Sequence, residues 1–87
     1  MKIEYDPAKR VETIATRGMD MADAGLVFDD EILTVEDGRK DCGEQRFVTV
    51  GRLRGRMVYM AWTPRGDVRR IISMRKANDR ENARYSD

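Results

Sequence analysis

The side chains best suited to chemistry in this sequence are guanidinium groups. Histidine is absent, which removes the commonest general base near neutral pH and the usual zinc ligand sets. The single cysteine, Cys42, has no histidine to activate it and reads as a bystander. What remains is arginine, which supplies 13 of the 17 basic residues. Its planar fork pairs bidentately with phosphate and stacks on bases. Fixed donors of this kind, aimed at charge developing on a phosphate, act strongly in a water-poor site, and losing one costs about 2.7–4 kcal/mol of barrier. The same arginines would serve a non-catalytic RNA- or DNA-binding module, or a face that recruits an acidic protein.

The net charge of +1 hides an asymmetry. Residues 1–44 carry 6 basic and 12 acidic side chains, and residues 45–87 carry 11 and 4. A split of this kind places a nucleic-acid surface on the C-terminal half. A solvated, arginine-rich sheet face is the plainer alternative. No apolar run approaches the roughly 20 residues that cross a bilayer. The lone cysteine and the lack of an N-terminal signal pattern point to the cytoplasm. No cofactor motif and no metal cluster stand out.

The elements that must position these groups are legible from periodicity and caps. Residues 2–5 alternate as a short strand. Asp6-Pro7 opens a helix of about three turns that Gly18 closes. Asp20 caps a second helix ending near Asp29, weakened by Gly25. Ile32 to Val35 is a strand, and residues 36–44 form a polar loop. Gln45 to Leu53 is a strand with Phe47 and Thr49 on one side and Arg46, Val48 and Val50 on the other. Arg54-Gly55 is a hairpin turn. Met57 to Thr63 is an apolar, central strand, residues 64–67 are a turn, and Val68 to Arg75 is a strand. Asn78 caps a short last helix, with Glu81 completing a capping box. The order predicts one α+β domain over residues 1–87: an antiparallel sheet with two N-terminal helices packed on it and a short C-terminal helix.

Three stretches resemble the BrnT family. The first is Tyr5-Asp6-Pro7-Ala8-Lys9, similar to its N-terminal aromatic-Asp-Pro-x-Lys signature. The second is Ala24 to Asp29, ending in Val27-Phe28-Asp29. The third and most specific is Arg70-Ile71-Ile72-Ser73-Met74-Arg75-Lys76-Ala77, followed by Glu81 and Tyr85. Residues 43–46 and Gly51 fit the pattern between them. The family usually carries Lys-His-Gly before its second helix, where this chain has Thr16-Arg17-Gly18. Arg17 keeps the charge but cannot serve as a base near neutral pH. The resemblance implies a RelE-like toxin fold, RNA cleavage and inhibition of translation. It also implies a BrnA-like antitoxin with a ribbon-helix-helix DNA-binding domain. The complex would be a heterotetramer on operator DNA that represses its own transcription.

Within that frame, candidate residues divide into two groups. Arg46, Arg70, Ser73, Arg75 and Tyr85 are the catalytic candidates. Lys9, Lys40, Trp62 and Arg65 are the candidates for RNA contact. Simple alternation puts Val68, Arg70, Ile72 and Met74 on one side of the last strand and Arg69, Ile71, Ser73 and Arg75 on the other. The pattern emphasises both Arg70 and Arg75, so either a bulge re-aims one of them or one is structural. Arg75 is favoured for phosphate, with Ser73 beside it. The alternative for Arg70 is an ion pair with an acid of the first half. Arg46 is a second phosphate donor or a surface ion pair. Tyr85 stacks a base, shuttles a proton or packs its helix. Glu81 is first a cap and only secondarily a base. Trp62 beside Arg65 is either a stacking platform for single-stranded RNA or a core aromatic. The cluster Arg52, Arg54 and Arg56 is a solvated hairpin tip or a docking point for an acidic or nucleic-acid partner.

Overall fold

The computed structural model describes residues 2–37 and 44–85, the last by its backbone alone. Lys40 and Cys42 therefore lie outside the described residues. Five strands and three helices follow one another: β1 (Lys2–Tyr5), α1 (Pro7–Arg17), α2 (Ala24–Asp29), β2 (Glu31–Asp37), β3 (Arg46–Leu53), β4 (Arg56–Arg65), β5 (Val68–Lys76) and α3 (Asp79–Tyr85). A 3₁₀ turn, Met21–Asp23, leads into α2. Among these described residues no helix is long and apolar enough to cross a membrane.

The strands form one sheet in the order β1-β5-β4-β3-β2, with β4 central as its apolar sequence predicts. The sheet is mixed, which corrects the all-antiparallel expectation. Consecutive strands from β2 to β5 pair antiparallel, but β1 runs parallel to β5 with Ile3 opposite Arg69 and Tyr5 opposite Ile71. Tight turns dictate the direction of the strands they join. No such turn ties β1 to its neighbour, so its direction is set by the helical crossover.

The first helix forms as its caps dictate. The Asp6 carboxylate accepts from the Ala8 amide at 2.9 Å. Gly18 closes the helix at φ 68°, its amide donating to the Ile14 carbonyl. The second helix is shorter than expected. Asp20, held by two bonds of 2.7 and 2.8 Å from Arg10, accepts from Ala22 and winds a single 3₁₀ turn. Only six residues then continue as α2, in keeping with the low helix propensity of Gly25.

The core lies between these helices and one face of the sheet, built from Met19, Met21, Ala24, Val27, Val58, Met60, Trp62, Ile71 and Met74. Helix α2 lies directly on β3 at Gly51. A methyl group there would come within 2.5 Å of the Val27 carbonyl oxygen, so only glycine fits. Strand β4 runs further than expected, through Pro64, which pairs with Arg69. The register that sets Phe47 opposite Trp62 brings β3 to its end near Thr63. At Pro64 the strand thus has β5 as its one ladder, the edge position proline tolerates.

Candidate active site

The last strand carries the decisive local feature. Trp62 pairs with Ile71, whereas Ala61 pairs with Ser73, so Ile72 is an extra residue bulged out of the β4–β5 ladder. The bulge reverses the alternation of everything after it. Ile71 and Met74 both face the core. Arg70, Ser73 and Arg75 consequently share the opposite face, opposite Thr63, Ala61 and Tyr59 of β4. This resolves the parity conflict between Arg70 and Arg75 in favour of a bulge.

On that face Ala61 lies between Val48 and Ser73. Two small side chains there leave a shallow hollow of about 120 Å³, lined by Val48, Tyr59, Met60, Ala61, Ser73 and Arg75. The Arg75 guanidinium lies over the Tyr59 ring, 4.6 Å from its centroid. Its two terminal nitrogens donate to both carboxylate oxygens of Glu81 at 2.7 and 2.8 Å. Glu81 also accepts from the Asn78 amide at 2.9 Å while its own amide donates to Asn78 Oδ1. The capping box of α3 is thereby fused to the Arg75 fork. The hydrogen bonds from Arg75 first, and from the Asn78 backbone second, hold the Glu81 carboxyl at about 2. Glu81 in turn raises the Arg75 pKa.

The outer edge of β5 completes the arrangement. Strand β1 ends opposite Ile71, so it leaves the rest of that edge to α1. Lys9 donates to the Ile72 carbonyl at 3.3 Å, and Arg17 donates to the Met74 carbonyl at 2.8 Å. Between helix and strand runs a cleft of about 160 Å³ that includes Lys9, Thr13, Thr16, Arg17 and Ser73. Ser73 therefore borders both the cleft with Lys9 and the hollow with Arg75. Two cations flank one exposed hydroxyl, an arrangement able to hold an anion and to donate hydrogen bonds to it.

A family model described as the ribonuclease toxin, BrnT, of type II toxin–antitoxin systems matches residues 5–81. The chain belongs to the BrnT family. No curated protein sequence is significantly similar to it. The family match takes in Lys9, the β5 bulge, Arg75 and Glu81. Membership in the BrnT family makes the chain a ribonuclease toxin at the level of the family's description, with RNA as substrate class and an antitoxin as partner.

The remaining candidates fall elsewhere. Arg70 shares the face of Ser73 but is ion-paired with Glu4 across the β1–β5 ladder, the structural alternative foreseen for it. Arg46 is half-buried on the same face of β3, at the far edge opposite Asp37. Arg65 lies in β4 next to the β4–β5 turn, bonded to Glu44 at 3.0 Å and away from the hollow. Trp62 is only 7% exposed and faces the core. Its indole N–H donates to Thr49 Oγ1 at 2.8 Å, and Phe47 stacks on its ring with centroids 4.9 Å apart. It is a core aromatic, and a platform for RNA bases is not available there. Tyr85 ends α3, and its side chain lies outside the described residues, as does Lys40. Tyr59 was not among the candidates from sequence. Its signal is an aromatic at the parity of Met57 and Ala61, opposite to that of Met60 and Trp62.

Proposed function

We propose that the chain is an endoribonuclease toxin that cleaves RNA by attack of the 2′-hydroxyl on the adjacent phosphate, without a metal ion. The observation that carries this is the bulge at Ile72, because it turns Ser73 and Arg75 together away from the core and onto the face of Arg70, while Lys9 bonds the Ile72 carbonyl and lines the same cleft as Ser73. In this reading the scissile phosphate sits over Ser73. The Arg75 guanidinium takes its non-bridging oxygens, Lys9 neutralises it from the α1 side, and the Ser73 hydroxyl donates a further hydrogen bond. Lys9 and Ser73 are positioned before substrate arrives, and Arg75 is held over Tyr59, where the phosphate takes the place of the Glu81 carboxylate on its fork. Arg46 and Arg70 line the approach for the flanking backbone. Tyr85 is the proposed proton shuttle or base-stacking group.

The toxin would stop translation by cutting messenger RNA in the cytoplasm. Its antitoxin would be BrnA-like, with a ribbon-helix-helix domain that places a heterotetramer on operator DNA. The RelE-like character implied by the resemblance agrees with helices stacked on one face of a mostly antiparallel sheet. The test is direct. Purified chain incubated with RNA in EDTA should release fragments ending in a 2′,3′-cyclic phosphate. A gel shift without fragments would instead identify a non-catalytic nucleic-acid-binding module.

A further inference from the structure

The helix-bearing face ends in a groove that the RNA site does not use. Its floor is formed by Met19, Leu53 and Val58, three residues of the buried core. Arg54, Arg56 and Lys76 rim it, and its volume is about 300 Å³. A second hollow of about 270 Å³, bordered by Met57, Ala77 and Asn82, lies against the same Arg56 and Lys76. The two cations thus form a ridge between depressions. Among the described residues they have no acidic partner, whereas Arg54 reaches Asp23 at 3.2 Å.

The backbone of the hairpin tip adds a second, independent observation. Arg54 is the one non-glycine with positive φ among the described residues, at 51°, followed by Gly55 at 82°. That pair of left-handed residues is the turn for which Asn-Gly or Asp-Gly is the favoured sequence. An arginine there sits in a conformation that a branched-off Cβ disfavours, and such outliers concentrate where a side chain is used. What it achieves is a third guanidinium or ammonium group at the rim.

We propose that this groove docks an acidic, apolar-anchored peptide segment of a protein partner. That partner is the antitoxin, an assignment that rests on the toxin–antitoxin reading. The charge complementarity is between the Arg54, Arg56 and Lys76 rim and carboxylates of the segment. The floor takes its apolar side chains, and the flexible Met19 side chain can adapt to them. Single-stranded RNA fits less well, because the lining offers no aromatic ring on which a base could stack. The groove and the Ser73 hollow lie on opposite faces of the sheet, with Lys76 next in sequence to Arg75. A segment anchored in the groove and continuing past Lys76 arrives at α3 and Arg75, which gives docking a route to the RNA site.

The experiment titrates the isotopically labelled full chain with two probes, followed by amide NMR. One is a short, blocked, glutamate-rich peptide with leucine anchors, and the other is a non-cleavable RNA analogue. The peptide should shift the amides of Gly18, Met19, Leu53, Gly55 and Lys76. Its affinity should fall by about tenfold or more in the double variant Arg56→Glu, Lys76→Glu. The equal charge reversal Lys2→Glu, Arg65→Glu, at the other end of the sheet, should leave it unchanged. Affinity should also fall as sodium chloride is raised, a readout that needs no variant. Peptide binding that is indifferent to salt and to the double variant would overturn the proposal. So would RNA shifting these amides while the peptide does not. An absence of RNA cleavage would remove the ribonuclease reading and leave the peptide result standing. Intact cleavage without peptide binding would remove only the docking site.

Discussion

Replacing Glu81 by glutamine separates the two tasks this residue performs. The amide oxygen still accepts from the Asn78 backbone, so the cap of α3 survives, but the charge opposite Arg75 is gone. The fork is partly solvated, with side-chain exposures of 45% for Arg75 and 20% for Glu81. Ion pairs in such settings contribute about 0.2–1 kcal/mol, and a bidentate geometry belongs at the upper end. Arg75 remains over Tyr59, where a cation–π contact contributes about 0.5–1 kcal/mol. The guanidinium should therefore stay in place while losing its internal anion. A phosphate no longer has to displace a carboxylate, so affinity for a non-cleavable RNA should rise by about two- to fivefold, the equivalent of about 0.4–1 kcal/mol. The acid behaviour provides an internal check. The Glu81 carboxyl is lowered from 4.5 to about 2, so its stabilisation is complete above pH 4.5 and is lost as pH falls towards 2. Glu81→Gln should abolish that part of the acid destabilisation, leaving the part due to Asp20, which is lowered from 3.8 to about 2 by Arg10. Fluorescence polarisation with the RNA analogue and denaturant titrations from pH 6 to 2 measure both. Weaker RNA binding by the variant, together with an unaltered acid profile, would refute the reasoning.

Three further outcomes follow from the packing. Gly51→Ala should destabilise the fold by about 1–3 kcal/mol, because its methyl meets the Val27 carbonyl at 2.5 Å, and the midpoint of urea unfolding reports it. Trp62→Phe should cost about 0.5–1.5 kcal/mol by removing the indole bond to buried Thr49, which keeps its bond with Thr34, while RNA affinity on a gel stays as in the parent chain. Asp20→Ala removes both a cap and the Arg10 ion pair, and should lower stability by about 1–2 kcal/mol at pH 7, an effect that shrinks as pH falls from 3.8 towards 2 and the Asp20 carboxylate is progressively protonated.

The local chemistry of this chain is written plainly in its sequence. Asp6-Pro7, Gly18, Arg54-Gly55 and the Asn78–Glu81 box each act within a few residues, and each does what its side chain dictates. Non-local facts are less visible. The parallel pairing of β1 depends on where a helical crossover delivers it, which no residue of β1 records. Pro64 reads as a turn, yet it continues β4 because β3 has already ended. The bulge at Ile72 leaves one trace in the sequence: arginines at 70 and 75, both emphasised by the resemblance, have opposite parity. That trace frames the question, and only the pairing of Ala61 with Ser73 answers it. Trp62 reads as either core or platform because its strand is apolar throughout, and the indole bond to Thr49 decides between them. Basic charge in the second half does mark the Ser73 face, but it marks the groove rim at Arg54 and Arg56 equally.

Single-turnover cleavage of a defined RNA by the parent chain, by Arg75→Ala and by Arg80→Ala tests the central claim most directly. Arg80 is an exposed cation of α3, so the two variants lose the same charge. The bulge-built site predicts a fall of about 10²–10³-fold for Arg75→Ala with the fold retained, and a rate for Arg80→Ala within a small factor of the parent. Equal rates for the two variants would contradict it.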